Sequence, residues 1–449
     1  MALLDTLRAG NVCTAISNLA RRPFVRNVAT VATGTAAAQA ITMAFAPIVA
    51  RLYGPEAYGL QGIFMTVVGL LATVAALGYP TAVVLPRSDA DARGIARLSL
   101  YVGLIVTAVV MLLLTFFGTE FLALLNAETI APFLYLIPAA MIISVLTGVL
   151  SQWLIRKHAF RIIASYGVVT ALLLGTARTL GGVVNPSALV LIATNVFGAL
   201  LGVTLTYLGW KRIAKPPEPT GNADNAPKTL GQLAREHGDF PTLRTPQNLI
   251  NAFSQNLPIL LLASFFGAAS AGQYTIANAV LGMPASLIAG SVMAVFYPRI
   301  NEAIHNGENA RALIVKATLG MAATGVLPFL AVLVAGPILF AFVFGQEWHT
   351  AGVYAQLLAL WLFFQYINRP AVSAIPALRL QGGLLIYELF STGTKVLGLW
   401  LGFIYFKSDV AAIAIFSLFG VVAYVWLILW VIYRSGHLPI PENPKPSCS

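Results

Sequence analysis

The chain has 449 residues, of which 58% are apolar and only 10% charged, and its formal net charge is +11. An ordinary soluble domain carries about 25% charged residues, so these residues cannot cover a water-facing surface, and the length does not imply two or three soluble domains. The basic residues sit in short stretches between apolar runs, which excludes a nucleic-acid face, and the spacing around Cys13, Cys448 and the five histidines excludes a metal or haem site.

Residues 1–27 carry Arg8, Arg21, Arg22 and Arg26 and lack an apolar core ending in a small-residue cleavage site. They read as a cytoplasmic amphipathic lead-in rather than a signal peptide. Twelve apolar runs follow, near 28–50, 58–85, 96–118, 131–154, 162–184, 187–210, 245–266, 272–297, 312–335, 351–371, 384–406 and 410–433. Each has about 20 residues or more, enough to cross ~30 Å of hydrocarbon. Backbone groups in lipid must be satisfied within the segment, so the runs are predicted to be helices. One set of alternate connections holds most of the Lys and Arg, and the other holds only Arg51 and Lys407. Basic loops face the cytoplasm, which places both termini inside and requires an even number of spans.

The polar stretch 211–244 divides the chain nearly in half and is rich in Pro, Asn and charge. It predicts a cytoplasmic linker with one short helix around 229–237. The expected domains are an N-terminal segment at 1–27, six-helix lobes at 28–210 and 245–433 on either side of that linker, and a Pro-rich tail at 434–449. The halves echo each other across it. Gly54 and Gly59 of ARLYGPEAYGLQ answer Gly267 and Gly272 of ASFFGAASAGQY, and Pro86-Arg87 answers Pro298-Arg299. A weaker echo pairs GTARTLG at 175–181 with GTKVLG at 393–398. Six spans per half make the repeat parallel, the arrangement of transporters that rock two lobes about a central site.

Order and spacing of several segments carry a family likeness: ARLYGPEAYGLQGIF, TAVVLPRSDADA, QWLIRKHAFR, the run from TPQNLINAFSQNLPILLLASFFGAASAGQY, and AFVFGQEWHTAGVYAQLLALWLFFQYINRP. Over about residues 25–435 the chain resembles the polysaccharide biosynthesis flippases of the multidrug/oligosaccharidyl-lipid/polysaccharide exporter superfamily. The resemblance implies an all-α, multi-pass inner-membrane protein with two pseudo-symmetric six-helix lobes and a central cavity. It implies movement of an undecaprenyl-diphosphate-linked oligosaccharide to the periplasmic leaflet, for O-antigen, capsule or exopolysaccharide. Polysaccharide polymerases and glycosyltransferases are the implied protein partners.

Ionisable residues inside spans are costly and mark cavities or pathways. Three cations qualify. Lys395 lies ~18 Å into its helix, Arg178 lies in the outer half of span five, and Arg369 lies near the cytoplasmic end of span ten, where it can also snorkel. A diphosphate calls for such donors, and the repeat places Arg178 and Lys395 in matching positions, one per lobe. Glu388, seven residues before Lys395, is either a proton or sodium coupling site or a charge partner. In span seven, Asn251 and Gln255 share a face with Asn248 and can donate to sugar hydroxyls or join helices. Gln39 sits in the small-residue stretch TGTAAAQA, where close helix packing is the competing use. Asp89-Ala90-Asp91 spells the DxD of metal-dependent glycosyltransferases but has no nucleotide-binding domain beside it, and no phosphate-binding G-x-x-x-x-G-K-[ST] loop occurs. No cofactor, no enzymatic activity and a monomer are expected. The rival readings are a cation-coupled drug exporter, which calls for intramembrane carboxylates, a polymerase or ligase, which calls for a large periplasmic loop, and a scaffold in a cell-envelope complex.

Overall fold

The computed structural model describes residues 23–124, 128–213, 228–378 and 380–436. The expectations for Cys13, Cys448, His437, the N-terminal lead-in before residue 23, most of the linker, Arg379 and the tail after residue 436 lie outside them. Among the described residues there are helices and turns and no strand. The long elements are α1 (Pro23–Ala75), α2 (Asp89–Leu124), α3 (Leu136–Arg156), α4 (Phe160–Val184) and α5 (Ala188–Ile213). After the linker come the short α6 (Leu230–Glu236), then α7 (Thr245–Phe266), α8 (Ala268–His305), α9 (Ala310–Phe344), α10 (His349–Ile367), α11 (Arg369–Ala377), α12 (Gln381–Leu401) and α13 (Asp409–Ser435).

Ten of the described helical segments are long and apolar enough to cross a bilayer, or eleven when the two parts of α8, bent by 47° at residues 290–295, count as one broken span. The apolar runs expected from sequence overlap these helices, the first two both lying on α1 and the run 58–85 continuing past its end at Ala75. The segment Thr30–Ala75 of α1 has 46 residues, about 69 Å of helix, more than twice the hydrocarbon thickness. It is broken at Gly54, whose φ of 70° and ψ of 172° leave the helical region. The surfaces are those of lipid-facing helices. Leu104, Ile105, Val109, Leu112, Phe116 and Phe117 of α2 are each more than half exposed, which water would not tolerate in such a continuous patch.

The chain forms two compact units. The first holds residues up to Val49, Phe64–Phe121 and Ile130–Phe253, and the second holds Ala50–Ile63, Leu122–Thr129 and the chain from Ser254 onward. In the first unit, Leu233 and Phe240 of the linker are buried against Ala82, Val83 and Ile95. Thr229 starts α6 with a capping box: its hydroxyl accepts from Gln232 N while Gln232 Oε1 accepts from Thr229 N. Tyr79 Oη donates to Ala234 O at 3.4 Å, and Lys228 N donates to Asp91 Oδ1 at 3.0 Å.

In the second unit one matched pair of repeat glycines is alike in conformation and the other is in contact. Gly54 and Gly267 adopt the same unusual conformation, with φ of 70° and 87° and ψ of 172° in both, which strains any residue with a Cβ. Gly59 and Gly272 pack reciprocally. A Cβ on Gly59 would lie 1.7 Å from Ala268 O, and one on Gly272 would lie 1.9 Å from Pro55 O. Arg51 caps the last turn of α9, donating to Phe342 O and Val343 O at 2.5 and 3.1 Å. The buried Trp348 donates from Nε1 to Ala50 O at 3.1 Å, with Tyr58 edge-on to its ring.

Candidate functional site

A group of polar and aromatic residues lies inside the second unit, on α10, α11, α12 and α13. Tyr387, Ser391 and Lys395 recur every fourth residue of α12 and so share one stripe. Trp361 and Gln365 follow the same spacing on α10, and Arg369 continues it at the start of α11. Gly420 and Tyr424 face them from α13. The Lys395 ammonium lies 5.6 Å from the Trp361 ring centre and 5.4 Å from that of Tyr424. These are cation–π distances. Among the described residues it has no hydrogen-bond acceptor and no carboxylate within ion-pair distance. Glu388, seven residues earlier on the same helix, makes no ion pair with it, and its own side chain is exposed.

The rings are themselves fixed. Gln365 Nε2 donates to Tyr424 Oη at 3.0 Å. Trp361 is 7% exposed, and its Nε1 is buried without a hydrogen-bond partner. It reaches Lys395 by lying against Gly420, where a Cβ would stand 2.4 Å from Trp361 Cδ1 and 2.6 Å from Nε1. Arg369 is exposed. It borders a cavity of about 30 Å³ with Gly282, Ser286, Gln365 and Tyr366, room for a water rather than a ligand.

The other candidates from sequence are placed as follows. In the first unit, Arg178 donates from Nη2 to Asn195 Oδ1 at 2.5 Å, and Asn195 in turn donates to Leu191 O at 2.8 Å. That guanidinium is held by its own lobe. Gln39 Oε1 is buried with no partner among the described residues. On α7, Asn251 and Gln255 are both exposed, and the division between the units falls between them.

The DxD motif is absorbed by structure. Asp89 accepts from Arg156 Nε at 3.0 Å and pairs with Lys157, while Asp91 accepts from the linker backbone. Arg156 also donates to the carbonyl of Pro86 at 2.5 Å and that of Arg87 at 3.2 Å, closing the loop before α2. No group of His, Cys, Asp or Glu among the described residues is arranged to hold a metal ion.

Lys395, Glu388 and Arg369 stand out in the sequence as charges within apolar runs, whereas Trp361, Gln365, Gly420 and Tyr424 do not. Aromatic residues in an apolar run look like core, and a glycine looks like helix packing. The usable signal was the fourfold spacing of Trp361, Gln365 and Arg369, three residues with polar or aromatic heads on one helical stripe.

A model of the family described as polysaccharide biosynthesis protein matches residues 48–353. The succinoglycan biosynthesis transport protein ExoT of Rhizobium meliloti is 24% identical over 423 residues, covering 91% of this chain and 79% of its own length. An inward-facing multidrug-resistance MATE transporter of the MOP superfamily shares the fold with a TM-score of 0.71 at 15% identity, covering 89% of this chain and 94% of that one. The lipid II flippase MurJ, in an inward closed conformation, does so with a TM-score of 0.68 at 14% identity, covering 90% and 88%.

Proposed function

We propose, from the premise that this chain belongs to the polysaccharide biosynthesis protein family, that it carries an anionic, lipid-linked glycan across the bacterial inner membrane by alternating access. Both termini are cytoplasmic in this reading, and the cargo is an undecaprenyl-diphosphate-linked oligosaccharide destined for a surface polysaccharide. A glycan relative named as a transport protein and a fold shared with a lipid flippase support transport of this class.

The observation that carries the reading is the ammonium of Lys395, kept inside a membrane-spanning lobe with no carboxylate bound to it. A lobe that needed the charge only for packing would neutralise it with an acceptor. Arg369, at the start of α11, supplies a second cation on the stripe of Trp361 and Gln365, and Arg178 supplies one in the first lobe. Amides at Gln39, Asn251 and Gln255 serve sugar hydroxyls. Glu388, exposed on α12, is the coupling carboxylate for a proton or a sodium ion. A drug exporter for organic cations would be served poorly by spans in which Glu388 stands against three cations, Arg178, Arg369 and Lys395.

The test is deletion of the gene, followed by analysis of lipid-linked oligosaccharide in the inner leaflet and of polymer at the surface. Accumulation of the first and loss of the second are expected, with rescue by the wild-type chain and none by Lys395→Glu at equal membrane levels. Unchanged surface polymer overturns the reading.

A further inference from the structure

We infer that Trp361 and Tyr424 are positioning residues for Lys395. Their ring faces hold its ammonium in the membrane while leaving its donors for the cargo's phosphoryl oxygens. The inference rests on the cargo reading above and adds the device by which the charge is kept ready.

An ammonium inside a span needs compensation. The common solution is a carboxylate or a carbonyl, and either would claim the N–H groups that a phosphate must use. An arriving anion would then have to displace a bound acceptor and leave it unpaired, which is costly in a low dielectric. The face of an aromatic ring offsets positive charge through its quadrupole and presents no localised lone pair. Lys395 has two such faces, at 5.6 and 5.4 Å, and no acceptor among the described residues.

The rest of the cluster follows from that need. The side chain of Lys395 belongs to α12, while Trp361 comes from α10 and Tyr424 from α13, so the box forms only when all three helices pack. Gln365 fixes the Tyr424 ring through its hydroxyl. Gly420 is the position that lets the indole approach, because any Cβ there would overlap Trp361. The indole N–H is buried and makes no hydrogen bond to a protein acceptor.

The experiment uses the full chain in lipid nanodiscs, with undecaprenyl diphosphate as the probe and uncharged undecaprenol as the control. Position 361 receives tryptophan analogues carrying one to four ring fluorines. These keep the shape and progressively drain the negative potential of the face. The affinity for undecaprenyl diphosphate is expected to fall stepwise, by about tenfold across the series. Trp361→Phe is expected to retain most of the affinity and Trp361→Leu to match the most fluorinated ring. Binding of undecaprenol is expected to stay constant, and the series to become flat in a Lys395→Met background. A flat series in the wild-type background, with Lys395→Met still weakening the probe, overturns the positioning role and leaves the cargo reading standing. Undiminished binding by Lys395→Met overturns both. A Trp361→Leu chain that fails to fold leaves the decision to the fluorinated series, which preserves packing.

Discussion

The reciprocal contact between Gly59 and Gly272 can be tested by adding a single carbon. In Gly59→Ala the new Cβ would start 1.7 Å from Ala268 O and 2.5 Å from the carbonyl carbon. Its neighbour is backbone rather than the end of a flexible side chain, so two helices must separate by more than an ångström. Overpacking of this kind costs about 1–3 kcal/mol. Alanine also gains up to about 1 kcal/mol over glycine as a helix former, so the wild-type chain alone is a poor reference. Gly69→Ala supplies the right one, since it lies in the same helix and a Cβ there meets nothing within 4 Å. Both variants gain the same helix propensity, and their difference isolates the contact. The assay is unfolding of the purified chain in mixed micelles with increasing dodecyl sulfate. Gly69→Ala is expected at or above the wild-type midpoint and Gly59→Ala below it, with a gap of about 1–3 kcal/mol. Gly272→Ala, 1.9 Å from Pro55 O, is expected to behave like Gly59→Ala. The double variant should cost less than the sum, because one separation relieves both overlaps. Equal midpoints for Gly59→Ala and Gly69→Ala would refute the argument.

Phe240→Ala removes a side chain that is 3% exposed in the linker's apolar contact, and is expected to cost about 3–5 kcal/mol of local stability; limited proteolysis should then cut within 228–244 at protease levels that spare the parent chain. Trp348→Phe leaves Ala50 O without its 3.1 Å donor and is expected to cost about 1–3 kcal/mol, read in the same micelle titration. The guanidinium of Arg299, near the end of α8, lies 2.5 and 3.2 Å from Glu308 in the turn before α9 and holds the Glu308 carboxyl below its ordinary value. A depressed carboxyl stabilises the folded state above the unfolded pKa, near ~4.3, and loses that contribution as pH falls through the folded value. Acid unfolding of Glu308→Gln should therefore show a shallower pH dependence below about 4–5 than the parent, and identical profiles would remove Glu308 from the account.

The membrane helices were legible because lipid demands about 20 apolar residues per crossing, and nothing in tertiary packing competes with that demand. The break at Gly54 was legible as a glycine within a repeat. The contact between repeat mates was not, since periodicity shows that two segments are alike and not that they touch. The helix near 229–237 was expected within the linker, whereas its capping box of Thr229 and Gln232 came from the structure. Its seat on Ala82, Val83 and Ile95 rests on Leu233 and Phe240, too few residues to form a pattern. At the candidate site the charged residues stood out against an apolar background, whereas Trp361, Tyr424 and Gly420 vanished into it. Their role exists only in three dimensions, where α10, α12 and α13 converge.

What separates a structural charge from a working one in these lobes is whether protein acceptors have claimed it. Asp89 is claimed by Arg156 and Lys157, and Asp91 by the linker backbone, so the motif that spelled a metal site is a clamp on a loop. Arg178 is held by Asn195, itself anchored to the preceding turn, which suits a fixed cation with a part of its fork committed. Lys395 is the contrasting case. Its lobe invests an indole, a phenol, an amide and a glycine in accommodating the ammonium, and none of them takes one of its protons in a conventional hydrogen bond. A side chain serving packing alone would be cheaper as leucine, because burying a charge without an acceptor is unfavourable. Under the proposed function the missing acceptor arrives from outside the chain and leaves again, as an anion in transit would.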